Sequence, residues 1–323
     1  MEEQHKNRRG LLIGVGIVEL LFAAFLLLML LLMGFSFVMT LFLDQSEQLY
    51  PAGSVAYVII IYGGMCAFFV VMGIGTIRGK TWARKIMLVV SAFWFLTGLM
   101  TLLFSLFAMN PLFDMMDTMS GLPIGGIIKA VMTVFLVIFF VLLLALMCRV
   151  NVSPDVKRTF DTLDEQKHWT DRMPLPLLAV FMFVVFVGLS LLSSVFMPVP
   201  FMFFGAPMSG PQGKGLWLLS AVLLFFFAYL LFKKRKAGWI GSLALYSFFS
   251  LTTIVTIISK GLSAYYQDAG MYVPSPAELE LIDSMFASLE RALPAFMFIY
   301  FALFTGLFLW AGKQLWDHEE TEV

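Results

Sequence analysis

Charged side chains are scarce. They make up 13% of the 323 residues, about half the roughly 25% of an ordinary soluble domain. That scarcity excludes a soluble fold, whose helices and strands must alternate apolar and polar positions to keep a wet face. Histidine is rarer still: His5, His168 and His318 lie far apart, with no second histidine or cysteine at ligand spacing, so no metal site is expected. The only cysteines, Cys66 and Cys148, fall at different depths of different apolar segments and exclude a disulfide framework. A formal net charge of zero removes any argument for a nucleic-acid partner. There is no His-Glu-x-x-His and no Gly-x-Ser-x-Gly, so neither hydrolase signature is present. Gly79-Lys80-Thr81 has the tail of a phosphate-binding loop, but Ile74 stands where the glycine should be and no soluble strand precedes it.

What is present is apolar. Hydrophobic residues are 60% of the chain, and they cluster in stretches long enough to supply the roughly 20 helical residues that cross a hydrocarbon core. Eight such stretches are read at residues 11–43, 55–77, 82–108, 123–149, 176–197, 215–232, 238–259 and 293–314. Backbone groups in lipid must be satisfied within the segment, which favours helices, and the period-two alternation of a membrane barrel is missing. The expected fold is therefore an all-α polytopic transmembrane helical bundle. The first stretch follows Lys6, Arg8 and Arg9, but it is too long for a signal peptide and no small-residue cleavage site follows.

The basic residues orient the chain, since cytoplasmic loops are enriched in Lys and Arg. With the N-terminus inside, all 21 basic residues except Lys129, Lys214, Lys260 and Arg291 fall on inside segments. Both termini are thus expected in the cytoplasm, and the protein in a cell membrane, plasma or inner.

The chain also reads as two parallel copies of a four-span unit, residues 1–150 and 174–323, joined by a linker at 151–173. Arg78-Gly79-Lys80-Thr81-Trp82-Ala83-Arg84 after span two matches Lys233-Lys234-Arg235-Lys236-Ala237-Gly238-Trp239 after span six. Pro123 opens span four as Pro294 opens span eight. Short interfacial helices are expected between spans. In one, Ser275 caps, Pro276 takes the first position, Glu278 completes the capping box, and Leu279, Ile282, Phe286 and Leu289 form an apolar stripe. Leu112, Phe113, Met116 and Met119 are its counterpart. In the linker, Ser153 and Pro154 begin a helix with Val156, Phe160 and Leu163 on one face, read as a joint between the halves in preference to a docking site. Residues 198–213 read as a non-helical loop, and phenylalanine in the spans as ordinary lipid-facing bulk.

The Trp-Ala-Arg hairpin after span two and Pro154-Asp155-Val156-Lys157-Arg158-Thr159-Phe160 after span four resemble uncharacterised bacterial four-span membrane modules. The resemblance covers the first half. The second copy departs from it, since Ile240 and Gly241 follow Trp239 and the tail lacks the Pro-x-Val-Lys element. It implies a fold and no activity.

Two features stand above the apolar background. Glu19 lies about 13 Å along the first span, where an acidic side chain costs about 2.5 to 3.5 kcal/mol on insertion scales. It is either a proton or cation site or a carboxyl bonded to a neighbouring helix. In span seven, Ser242, Tyr246, Ser250, Thr253 and Thr256 recur every three to four residues. That seam either lines a cavity for a small solute, with Tyr246 and Thr253 as contacts, or bonds neighbouring helices. No cofactor is expected, and no enzyme, because no catalytic residues pair up. A non-enzymatic scaffold or accessory subunit is the first reading. Its partners are the bilayer and another membrane protein or a second copy. A small-solute or proton-coupled transporter is the alternative.

Overall fold

A computed structural model describes residues 8–42, 52–110, 113–114, 116–117, 121–197, 199–268 and 276–320. Helices dominate: α1 (Arg9–Phe42), α2 (Ala52–Ile77), α3 (Thr81–Ala108), α4 (Ile124–Val152), α5 (Pro154–Leu163), α6 (Leu175–Ser194), α7 (Gly210–Phe232), α8 (Lys236–Asp268) and α9 (Pro276–Glu320). Among the described residues, eight of these are long and apolar enough to cross a membrane, all but α5. A two-stranded hairpin, β1 (Phe201–Phe203) and β2 (Ala206–Met208), precedes α7.

The elements form two compact units. The first comprises Met1–Ser91, Leu146–Leu175 and Leu192–Met197; the second comprises Ala92–Ala145, Pro176–Leu191 and Pro198–Val323.

In the first unit α1 and α2 run antiparallel. Phe22 stacks on Phe69 with centroids 5.6 Å apart, and the Cys66 thiol lies 3.3 Å from the Ala23 carbonyl oxygen. Their backbones come close at Gly16 and Gly73, where a Cβ on Gly16 would stand 2.9 Å from the Gly73 oxygen. Missing side chains let the helices touch, the usual packing device in lipid. At one end of the unit, α5 lays Val156 and Phe160, both fully buried, against Leu12 of α1. Pro154 takes the first helical position, as its fixed φ permits. Leu163 is 41% exposed, unlike its two partners in the expected stripe, and closes over Gly79.

In the second unit the phenylalanines are a correction. Phe304 and Phe308 are buried, and Phe183 stacks on Phe304 at 4.3 Å, with Phe93 5.7 Å from Phe304 and 6.0 Å from Phe183. Tyr246 joins them, 5.7 Å from Phe308. Lipid-facing and core phenylalanines have the same composition, and only ring packing between helices separates them. α4 widens to a π-turn at Val137–Leu142, where Gly98 of α3 fits against Phe140.

Three other expectations change. Residues 198–213 contain the hairpin and the first turn of α7, which begins at Gly210 rather than 215. Pro294 does not open a separate helix: α9 runs through it from Pro276. Proline removes one backbone donor but its φ is helical, and such a residue is tolerated within membrane helices. The stretch at 276–292 is helical as expected, while Leu112, Met119, Ser275, His5 and the side chains of Leu279, Ile282, Phe286, Leu289 and His318 lie outside the described residues.

The two basic turns close identically. Gly79 N–H donates to the Thr76 carbonyl and Lys80 N–H to that of Gly75; Lys234 N–H donates to Leu231 and Arg235 N–H to Leu230. Both are Schellman caps, with the left-handed position held by Gly79 (φ 69°) and Lys234 (φ 55°). This register sets Trp82 opposite Ala237, not Trp239. The tryptophans accordingly differ: Trp82 covers Gly75, whereas the Trp239 indole donates to the Phe308 carbonyl at 2.6 Å and rests on Gly312. Gly79→Ala should lower the melting temperature in detergent, at a cost of about 1 to 2 kcal/mol for a Cβ in the left-handed region. Lys234→Gly should raise it, by about 1 kcal/mol or less.

Candidate functional site

Glu19 is fully buried in the first unit, in the α1–α2 contact. Helical side chains lean toward the helix N-terminus, which brings its carboxyl toward Thr76 of α2, its polar neighbour. No hydrogen bond closes between them: both carboxyl oxygens and the Thr76 hydroxyl are buried without a partner among the described residues.

The span-seven seam belongs to the second unit. Ser242 is fully buried with its hydroxyl unpartnered among the described residues, and Tyr246 donates its hydroxyl to the Tyr300 carbonyl at 3.3 Å. Ser250, one turn on, is half-buried. Thr256 is buried, accepts the Gly205 N–H at 2.9 Å and donates to the Thr252 carbonyl. Thr253 is exposed and bonds back to the Phe249 carbonyl of its own helix, while Thr252 is the buried residue beside it. Hydroxyl spacing defines a face, but the covering hairpin decides which side of α8 is buried. The space along this face is a cavity of about 30 Å³ between Ser242, Tyr246, Leu224, Phe183 and Phe308. At the roughly 10 to 15 Å³ of such space that one water needs, it has room for about two waters.

The densest polar constellation lies elsewhere, at the end of the first unit that carries Arg8, the 78–85 turn and the linker. α3 has no acidic residue in its first turn, so its free N–H groups and dipole want an anion. Asp164 supplies one from 83 residues away: its carboxylate accepts the Thr81 N–H at 3.1 Å. The same carboxylate accepts the Thr81 hydroxyl at 3.5 Å and the Lys80 ammonium at 3.2 Å, and meets His168 Nε2 at 2.8 Å. Burial alone would push the Asp164 carboxyl up; the bonds from Thr81, Lys80 and His168 prevail and hold it below the ordinary aspartate value. Asp171 repeats the pattern, accepting the His168 N–H and the Lys85 ammonium, both at 2.8 Å. Its carboxyl is also held down, as those bonds overcome burial. Arg84, buried, donates to the Asn151 carbonyl at 3.1 Å and faces the charges of Asp161 and Asp171. Arg8 closes the far side, pairing with Asp155 at 3.4 Å while its N–H donates to Thr159.

Beside this network is an open cleft of about 550 Å³ lined by Thr81, Asp161, Asp164, Glu165, Lys167 and Asp171, among others. Sequence reasoning passed over Asp164 and Asp171, because each looks like one more charge in a polar linker. One signal was available: a helix beginning Lys80-Thr81 with no acidic cap of its own, and a linker with an acid every few residues. The basic turn and the linker meet here, through Leu163 on Gly79 and Asn151 on Arg84.

Eight apolar helices of spanning length make the chain a multi-pass membrane protein. Family models, curated proteins and solved structures provide no match to it.

Proposed function

We propose that the protein is a non-enzymatic membrane scaffold or accessory subunit, with the Asp164-centred end as its rigid platform for another membrane protein. The observation that carries this reading is the locking of the linker onto the 78–85 turn through a single carboxylate with four polar contacts. Such a network holds a surface in one shape, and it borders a cleft large enough for a partner's side chains. The aromatic packing around Tyr246 leaves room for about two waters, which favours a packing role for the seam. The basic-residue bias supports a cytoplasmic position for the platform and for both termini. The shared Schellman geometry of the two basic turns supports duplication of a four-span unit.

A proton-coupled transporter is the second reading, favoured by the buried, unpartnered carboxyl of Glu19. Reconstituted vesicles separate the two. The scaffold reading expects no pH-dependent uptake that Glu19→Gln abolishes, and a stoichiometric membrane protein on purification in mild detergent. Uptake lost in Glu19→Gln, from a chain that purifies alone, would overturn it.

A further inference from the structure

The hairpin Phe201–Met208 carries a feature that folding alone does not require. Its turn residues, Phe204 (φ 48°) and Gly205 (φ 87°), are both left-handed, as a two-residue type I′ turn demands. Asparagine or glycine ordinarily takes the first of these positions. A bulky phenylalanine there is strained, and strain of this kind persists where something other than the turn wants the side chain.

The surroundings show what that is. Phe203 and Phe204 are 48% and 45% exposed, yet both rings lean along α8 to Phe248, at 5.9 and 5.8 Å. At a rise of about 1.5 Å per residue, Phe248 stands about 18 Å beyond Lys236 of the basic turn. A hydrocarbon layer about 30 Å thick, measured from that turn, ends near Thr256. The Thr256 hydroxyl is the group that accepts the Gly205 N–H, so the turn backbone sits at the boundary and the two rings reach inward from it. Lys260, beside Gly205, lies one turn further out. The Trp217 indole donates to the Val199 carbonyl nearby, as an amphipathic aromatic does at a membrane boundary. The exposed surface continues along α8 through Leu251, Val255 and Ile258, which face lipid by composition.

We propose that this hairpin is an interfacial wedge, whose strained turn holds Phe203 and Phe204 among lipid acyl chains at the membrane face opposite the Lys233–Lys236 turn. The occupant of the exposed aromatic face is lipid, not a protein partner or water.

Nitroxide accessibility in bilayers tests it on the full chain carrying Cys66→Ser and Cys148→Ser. Labels at Phe204→Cys and, independently, Phe203→Cys should be relaxed by oxygen several-fold more than by a water-soluble nickel complex, with the preference reversed at Lys260→Cys. Nickel access equal to that at Lys260→Cys would place the rings in water and overturn the proposal. Exclusion of both relaxants would mean a protein covers them, which overturns it equally. Phe204→Asn supplies the residue the turn prefers and should unfold no earlier than wild type in detergent. A clear drop in melting temperature would assign Phe204 to protein packing and reject the wedge.

Discussion

Phe160→Ala should release the linker from the first unit. Phe160 is fully buried, and with Val156 it packs α5 on Leu12. Truncating a buried phenylalanine costs about 3 to 5 kcal/mol; what then holds α5 is the Arg8–Asp155 pair, more than a third exposed on each side and contributing about 1 kcal/mol at most, the Arg8 N–H bond to Thr159, Leu163 on Gly79 and the Asp164 contacts at its C-terminal end. Limited proteolysis between residues 153 and 172 reads the result directly, since cleavage follows the population of the undocked segment. About 3 kcal/mol corresponds to a rate increase of about a hundredfold. Thermal unfolding of the spans should change far less. A variant whose linker stays protected would show that the polar contacts suffice.

Asp164→Asn should weaken the same docking by a different route. Removing one member of a buried charge network costs about 3 to 5 kcal/mol. Asp164 has almost no direct exposure but borders an open cleft, so solvent screening reduces the expected cost to about 2 kcal/mol. Asparagine keeps an acceptor for the Thr81 N–H and loses the charge that Lys80 and His168 complement. The pH dependence identifies the carboxylate. Its folded-state value is depressed, so its contribution is fully present above the free aspartate value of about 4 and is lost as pH falls from there through the folded value. Wild-type protection of the linker should therefore fade below about pH 4, with Asp171 adding to the loss in the same sense. Asp164→Asn should start lower and show a smaller acid transition. An unchanged acid transition in the variant would remove Asp164 from the centre of the network.

The spans were legible because the signal is local: twenty consecutive apolar residues announce a crossing whatever lies beside them. The linker helix was legible for a similar reason, with Pro154 at its start and Val156 and Phe160 one turn apart. Glu19 stood out because a single acid in an apolar run is costly wherever the run packs. The seam was half legible. Periodicity selected Thr253 and Thr256 together, but the hairpin, which no pattern in residues 198–213 announced, covers Thr256 and leaves Thr253 exposed. Phe183, Phe304 and Phe308 were invisible as a core, because apolar residues in a membrane chain face lipid or protein with equal ease.

The sequence by itself determined that this chain lives in a bilayer, which apolar runs are long enough to cross it, and which turns carry the positive charge. Each of those follows from transfer free energies summed over neighbouring residues. Only the tertiary structure decided that Asp164 caps a helix 83 residues earlier in the chain, that the Glu19 carboxyl and the Thr76 hydroxyl are buried without a hydrogen-bond partner among the described residues, and that a strained hairpin rests on α8. Those depend on which surfaces meet, and in lipid the hydrophobic pattern does not specify that: side chains facing a neighbour and side chains facing acyl chains are drawn from the same residues.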